Sequence, residues 1–189
     1  VDLAKRIYQV HGVDGFEKVV VARTMTPERF FEWCRTLPPG CVVAMESCSG
    51  AHHVSRRLAL LNLKATILPA QHVGAYRVAG KRSKNDATDA AAICEAASRP
   101  HLHPVPVKTA AQQGVLAIHR LREGYKEERT ALINRIRGLM AEFGLVFPQS
   151  PDALHAMLPD VLEDASNELP SDLRLALDRN LKHWGQLDA

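Results

Sequence analysis

Short apolar runs alternate with polar turns over the first hundred residues, and helical periods fill the rest of the chain. Residues 6–10 and 18–23 predict two strands, and the Gly-Val-Asp-Gly sequence at 12–15 predicts the turn between them. Thr26 and Pro27 then predict the start of a helix, with Thr26 as its N-cap and Pro27 in its first turn. The chain therefore begins with a predicted β-hairpin followed by a helix.

A continuous apolar run, Cys41 to Met45, predicts a central strand that is buried on both faces. A helix over about residues 50–63 and a strand at 65–68 follow it. This order predicts a right-handed βαβ crossover. A further helix is predicted from Asp86 to about Ser98, so the fold class is α/β.

Beyond Pro100 the pattern is helical, and residues 110–143 predict one long helix that ends at Gly144. Two shorter helices are predicted around 153–165 and 172–187. A helix of this length is about 50 Å long and should extend beyond a small domain. We therefore expect a homo-oligomer through its apolar stripe, whose steps of mostly three and four residues approach a coiled-coil seam. The stripe consists of Val115, Ile118, Leu121, Tyr125, Leu132, Ile136, Leu139 and Phe143.

Charge is distributed unevenly, although the net charge is only +3. Residues 1–144 carry 21 Lys and Arg against 13 Asp and Glu, whereas residues 145–189 carry 3 against 8. A basic body favours a polyanion such as nucleic acid as partner, and attraction between the two parts of the chain explains the pattern equally well. No apolar run approaches the ~20 residues of a membrane span, and no signal-peptide pattern is present, which predicts a cytoplasmic protein without a membrane partner.

Four carboxylates stand out by their context: Asp2, Glu46, Asp86 and Asp89. Glu46 ends the most apolar strand, and Asp86 and Asp89 share one helix face at a spacing of three residues. A carboxylate beside a buried strand is unfavourable unless it is paired or binds a metal. Oxygen ligands suit Mg²⁺ or Mn²⁺, and a pair of such ions can promote phosphoryl transfer. Each acid alone could be a surface charge or a helix cap, but together they favour a metal site.

Four cations, Arg77, Lys81, Arg82 and Lys84, precede these helical acids without an intervening acid. We interpret them as a loop that contacts nucleic-acid phosphates, with a solvated loop as the alternative. His52 and His53 have no evident companion zinc ligands, so we interpret them as facing solvent or DNA.

Several ordered motifs together resemble the DEDD transposases of the IS110 insertion-sequence family. They are Val-Asp-Leu-Ala-Lys at 1–5, Ala-Met-Glu-Ser-Cys-Ser-Gly-Ala-His-His at 44–53, Lys-Asn-Asp-Ala-Thr-Asp-Ala at 84–90, Arg-Pro at 99–100, Pro-Val-Lys at 106–108 and Ile-Arg-Gly-Leu-Met-Ala-Glu-Phe-Gly at 136–144. The resemblance covers nearly all of residues 1–148. It implies a RuvC-like domain with an RNase H-like mixed sheet flanked by helices, and it makes Asp2, Glu46, Asp86 and Asp89 the catalytic and metal-binding residues. It further implies Mg²⁺-dependent recombination of an insertion element and a bound, structured guide-type RNA.

The resemblance also suggests how the chain is divided. Residues 1–108 would be the RuvC-like catalytic domain, 109–144 a long coiled-coil-like helix, and 145–189 an acidic helical tail that leads to a second transposase domain. In the family that second domain carries a serine thought to link covalently to DNA. We expect it to be absent from residues 1–189, which should therefore not complete strand exchange alone.

Two other functions compete with this interpretation. A nucleic-acid-binding remnant without cleavage activity fits the same charges and motifs. An actin-like kinase or ATPase is disfavoured, because the segment Asp2–Lys5 lacks the glycines of a phosphate-binding loop.

Overall fold

The computed structural model describes residues 1–77 and 86–189. The chain forms two compact units, Val1–Gln113 and Gly114–Ala189. The second unit begins inside the longest helix. Each unit has its own hydrophobic core and is described by itself.

The first unit contains five strands and four helices among the described residues. The strands are β1 (Asp2–Leu3), β2 (Tyr8–Val13), β3 (Val19–Met25), β4 (Val42–Glu46) and β5 (Lys64–Leu68). The helices are α1 (Pro27–Cys34), α2 (Ala51–Ala59), the short α3 (Ala70–Val73) and α4 (Asp86–Ala97). The mixed α/β class predicted from the hydrophobic pattern is confirmed.

The strands β1, β2 and β3 pair antiparallel, and β4 pairs with β5 in parallel from Val42 beside Lys64 to Glu46 beside Leu68. The nitrogen of Val1 donates a hydrogen bond of 2.7 Å to the carbonyl of Ala44. This bond brings the start of β1 close to β4, so the three-stranded antiparallel sheet approaches the two-stranded parallel one. A mixed α/β arrangement with these small sheets is compatible with an RNase H-like fold.

Successive residues of β4 face opposite sides of the sheet, and both sides are covered. Met45 packs with Val1 and Ile67 in a core that includes residues of α1 and α2. Ala44 packs instead with Leu68 and with the Ala92–Ala96 face of α4. This double burial explains why residues 43–45 are apolar without alternation, whereas Val42, at the start of the strand, is 53% exposed and the prediction of burial on both faces is wrong there.

The hairpin turn lies further along the chain than the sequence pattern predicts. Gly12 and Val13 belong to β2, and the turn follows at Asp14, whose carboxylate accepts hydrogen bonds from the backbone N–H groups of Phe16 and Lys18. A glycine occupies this position in the strand because a Cβ there would come within 2.7 Å of Val21 Cγ1. The glycine therefore marks a close approach between strands rather than a turn.

The second unit consists of α5 (Ala110–Ala141), from Gly114 onward, with α6 (Pro151–Glu163) and α7 (Ser171–Asp188). The predicted long helix and both shorter helices are present. Gly144 lies in the left-handed region at φ +71°. The N–H groups of Gly144 and Leu145 donate to the carbonyls of Ala141 and Met140, which forms a Schellman motif and ends α5 where the sequence predicts.

The apolar stripe of α5, which the sequence assigned to contacts between two copies of the chain, is covered within the chain over most of its C-terminal half. Leu132 and Ile136 are buried, at 2% and 1% exposure. They pack against apolar side chains of α6 and α7, among them Leu154, Leu158 and Trp184. The tail helices α6 and α7 therefore cover part of the α5 surface that the sequence assigned to a second copy of the chain. They do so because each of them is amphipathic and has an apolar face to bury. On α5 itself, the large apolar residues that stay exposed are Leu139 and a group in the N-terminal half: Val115, Leu116, Ile118, Leu121 and Tyr125.

Within the described ranges, no helix combines the length and the apolar character needed to cross a membrane.

A carboxylate cluster at the edge of the sheet

Asp2 of β1 and Glu46 at the end of β4 lie near a common neighbour, the thiol of Cys48. Burial raises the pKa of this thiol, and the negative charges of Asp2 and Glu46 raise it further, so both carboxylates lie within electrostatic reach of it. The N-terminal ammonium of Val1 donates to the carbonyl of Ala44, which brings the start of β1 close to β4 two residues before Glu46. Ala44 packs against α4, and Glu46, two residues further along the strand, lies on the same side of β4.

The first turn of α4 adds two more acids, Asp86 and Asp89. Burial raises the pKa of Asp2 above its ordinary value, and the negative charges of Asp86 and Asp89 raise it further. This effect requires the three carboxylates to lie within electrostatic reach of one another. The fold thus gathers acids that are separated by more than eighty residues in sequence.

Arg77 balances one of these acids. Its Nε lies 2.6 Å from Oδ1 of Asp89, and Asp89 is only 8% exposed. Asp86, by contrast, faces solvent. Arg77 was assigned to a phosphate-contacting loop from sequence, but in the structure it is bonded to the acidic cluster. Lys81, Arg82 and Lys84 lie outside the described residues, so their assignment stays a prediction.

Sequence reasoning did not identify the pair formed by Arg77 and Asp89. The two residues lie twelve positions apart, across a segment that separates the short turn at 74–76 from α4. No helical or strand periodicity relates such positions. A salt bridge of this kind is set by the tertiary path of the chain.

The cluster suits a hard cation by its donor chemistry, because all four acids offer oxygen ligands. Burial and the negative charges of Asp86 and Asp89 raise the pKa of Asp2, while Arg77 pairs with Asp89. In the part of the chain that the structure describes, however, no three His, Cys, Asp or Glu side chains stand close enough together to hold a metal ion.

These features define a class of protein: a mixed α/β domain with carboxylates gathered at the ends of adjacent strands and at the start of the helix above them. Residues 1–144 match the family model of the DEDD transposases of IS110 elements, which is described as a transposase. The chain belongs to this family, and the resemblance noted from its motifs is confirmed.

Several relatives agree with this family. The chain is 44% identical to a probable family 20 transposase of Pseudomonas aeruginosa, over 91% of the chain and 50% of the relative. It is 39% identical to the transposase for insertion sequence element IS1111A of Coxiella burnetii, over 86% of the chain and 43% of the relative. It is 35% identical to the transposase for insertion sequence element IS1328 of Yersinia enterocolitica, over 99% and 54%. The chain thus spans about half the length of the curated relatives it matches.

Proposed function

We propose that this chain is the catalytic portion of a DNA transposase and that its RNase H-like unit cleaves DNA strands of an insertion element. The observation that carries the proposal is the gathering of these acids: Asp2 lies within electrostatic reach of Asp86 and Asp89 in the first turn of α4, and Asp2 and Glu46 both act on the thiol of Cys48, where β1 comes close to β4. Membership of the family supports DNA as the substrate.

The four acids would hold Mg²⁺ or Mn²⁺, and Asp2 and Glu46, set on the sheet, would be its most rigid ligands. When bound, the cation supplies activation of the attacking oxygen and stabilisation of the leaving oxygen of the phosphodiester. Asp86 and Asp89 would complete the oxygen set from the helix. Arg77 lowers the repulsion within the cluster by neutralising Asp89, so the acids can be held together before substrate arrives.

The proposal extends to partners that family membership implies. The basic balance of residues 1–144 suits binding of both DNA and a structured guide-type RNA. A second copy of the chain could cover the apolar residues that remain exposed between Val115 and Tyr125 of α5. The enzyme would act in the cytoplasm, where bacterial DNA is found.

The test is cleavage of a labelled branched DNA by the purified chain in Mg²⁺, in Mn²⁺ and in EDTA, resolved on denaturing gels. We expect nicked product with either ion and none in EDTA. Glu46→Gln and Asp2→Asn should each lower the rate by at least about a hundredfold, because each removes a charged ligand while keeping the side-chain size.

A matched control is Asp172→Asn, which makes the same change at an exposed acid in the first turn of α7. It should cleave like the parent chain. Cleavage that survives in EDTA or in Glu46→Gln would remove the proposed active site. Metal-independent binding without any cleavage would instead support the alternative, a nucleic-acid-binding remnant.

A further inference from the structure

Three basic side chains meet where α2 contacts the segment that precedes α5. His52 and Arg56 lie one turn apart on α2, and Lys108 lies two residues before α5. The Arg56 guanidinium donates from Nη1 to the carbonyl of Lys108 at 2.7 Å, and the backbone N–H of Lys108 donates to Nδ1 of His52 at 3.2 Å. Both backbone polar groups of Lys108, its N–H and its C=O, are therefore bonded to side chains of α2.

These bonds determine which ring nitrogen of His52 carries the proton. A backbone N–H can only donate, so Nδ1 is the acceptor and the neutral ring has its proton on Nε2. The ammonium of Lys108 lies 3.3 Å from that Nε2. An ammonium has no acceptor and a protonated Nε2 has none either, so the two groups cannot bond to each other. The Lys108 ammonium and the His52 Nε2–H are therefore two neighbouring donors, and an oxygen acceptor placed between them could accept a hydrogen bond from each.

The cluster is also electrically unbalanced. No carboxylate among the described residues forms an ion pair with Arg56 or Lys108. Burial lowers the pKa of His52, and the positive charges of Lys108 and Arg56 lower it further, which keeps the ring neutral and Nε2–H a donor near neutral pH. Cations brought together without an acid repel each other, and an anion between them removes that repulsion.

We propose that His52, Arg56 and Lys108 form a phosphate-binding site for the backbone of the nucleic acid on which the enzyme acts. This inference rests on the proposed function, and it gives roles to the His-His and Pro-Val-Lys motifs that the carboxylate cluster leaves unused. The helix that carries His52 and Arg56 begins five residues after Glu46, so the site is tied to the strand that carries the acid. Contacts of this kind position a strand without reading its sequence.

The first test measures binding of a DNA duplex and of an RNA hairpin by fluorescence anisotropy over a range of salt concentrations. Lys108→Gln should weaken binding by about 3- to 10-fold near 100 mM salt and lower the magnitude of the salt slope by about 0.7–0.9, because one fewer counterion is released. A loss of affinity for the DNA, for the RNA or for both identifies which sugar-phosphate backbone occupies the site. Circular dichroism should show an unchanged fold.

The matched control is Lys126→Gln, which removes the same charge from α5, where Lys126 pairs with Glu123. It should leave the affinity and the salt slope unchanged. Equal losses in the two variants, or no loss in Lys108→Gln, would overturn the site.

A second measurement does not depend on nucleic acid. Titration with inorganic phosphate, followed by the ring ¹H–¹⁵N shifts of His52, should give a saturable response that Lys108→Gln abolishes. Nucleic-acid binding without any response of His52 would overturn this site and leave the proposed function standing. A response of His52 in a chain that binds neither DNA nor RNA would overturn the proposed function and the assignment of the phosphate to a nucleic acid.

Discussion

Asp2 shows most directly how much the acidic cluster opposes folding. It is half-buried, and burial together with the charges of Asp86 and Asp89 raises its pKa. Asp89 is paired with Arg77. Carboxylates gathered in this way favour binding of a cation at the expense of the stability of the metal-free domain, which is a common compromise at functional sites.

Asp2→Asn should therefore stabilise the chain in the absence of divalent ions. Since the folded pKa of Asp2 is raised, its charge opposes folding fully at pH 7, and this opposition disappears as the pH falls through the raised pKa towards the ordinary value of 3.8. Because solvent screens a half-exposed group, we expect a gain in melting temperature of roughly 1–2 °C at pH 7. Differential scanning fluorimetry at pH 7 and pH 4 measures it.

In that experiment the gain should shrink towards zero at pH 4, and Asp172→Asn should show no comparable gain at pH 7. A lower melting temperature for Asp2→Asn at pH 7 would mean that Asp2 makes a favourable interaction that outweighs the repulsion.

At the scale of elements, α5 and the two tail helices depend on each other. The C-terminal half of α5 buries Leu132, Ile133, Ile136 and Met140 against α6 and α7. Arg137 reinforces the connection, because its Nη2 donates to three successive carbonyls, those of Pro148, Gln149 and Ser150. The tail is therefore the partner of the long helix within the same unit.

Ile136→Asp should unfold the second unit rather than separate two copies of the chain. A charge placed at a position that is 1% exposed should lower the free energy of unfolding by more than about 3 kcal/mol. Leu139→Asp is the matched control on the same helix, and at 41% exposure it should change that free energy by less than about 1 kcal/mol. Urea denaturation followed by far-ultraviolet circular dichroism compares the two. A folded, monomeric Ile136→Asp derived from a dimeric parent would restore the coiled-coil interpretation.

Two glycines near the end of α5 provide a second prediction: replacement by alanine should change stability in opposite directions at Gly144 and Gly138. Gly144→Ala should destabilise by about 1 kcal/mol, because φ +71° is unfavourable for a residue with a Cβ. Gly138→Ala lies inside the helix, where an added Cβ meets nothing within 4 Å, and should stabilise by about 0.5–1 kcal/mol. Urea denaturation of each variant measures the change in the free energy of unfolding. Equal effects of the two substitutions would contradict the assigned Schellman motif.

At the scale of the whole molecule, ion pairs within the chain account for part of the contrast between the basic residues 1–144 and the acidic residues 145–189. Arg129 of α5 pairs with Asp188 of α7, and Glu128 pairs with His183. The tail acid Asp188 is thus paired within the second unit, while no carboxylate of the described residues pairs with Arg56 or Lys108 in the first unit. The chain also spans only about half the length of its relatives, so the reaction of residues 1–189 need not be that of a whole transposase.

We expect residues 1–189 alone to nick DNA without joining it to a target. Four carboxylates can support hydrolysis, but hydrolysis discards the energy of the phosphodiester, whereas joining requires that energy to be kept, often in a covalent enzyme–DNA ester. An in vitro recombination assay with guide RNA, donor DNA and target DNA measures both products. Joined product from this chain alone would show that residues 1–189 contain a sufficient nucleophile.

The sequence by itself determined the elements and the candidate acids. Strong local signals, such as Thr26 before Pro27, the apolar run before Glu46 and Gly144 after the long period, depend on neighbouring residues and therefore predicted helix and strand positions well. The motifs around Asp2, Glu46, Asp86 and Asp89 were sufficient to indicate the family. The weaker signal of Gly12 placed the hairpin turn too early, because a glycine that allows a close approach to Val21 resembles a turn glycine in sequence.

Only the tertiary structure decided what each surface contacts. The bond between Val1 and Ala44, which brings β1 close to β4, joins residues 43 positions apart. The pairing of Arg77 with Asp89, the contacts of His52 with Lys108 and the burial of Ile136 under the tail likewise depend on the path of the chain. An amphipathic period shows that a face must be covered, but the same apolar residues suit a second copy or the chain's own tail equally well. Because burial is non-directional and depends on area, the identity of the covering surface is settled by packing and not by the pattern.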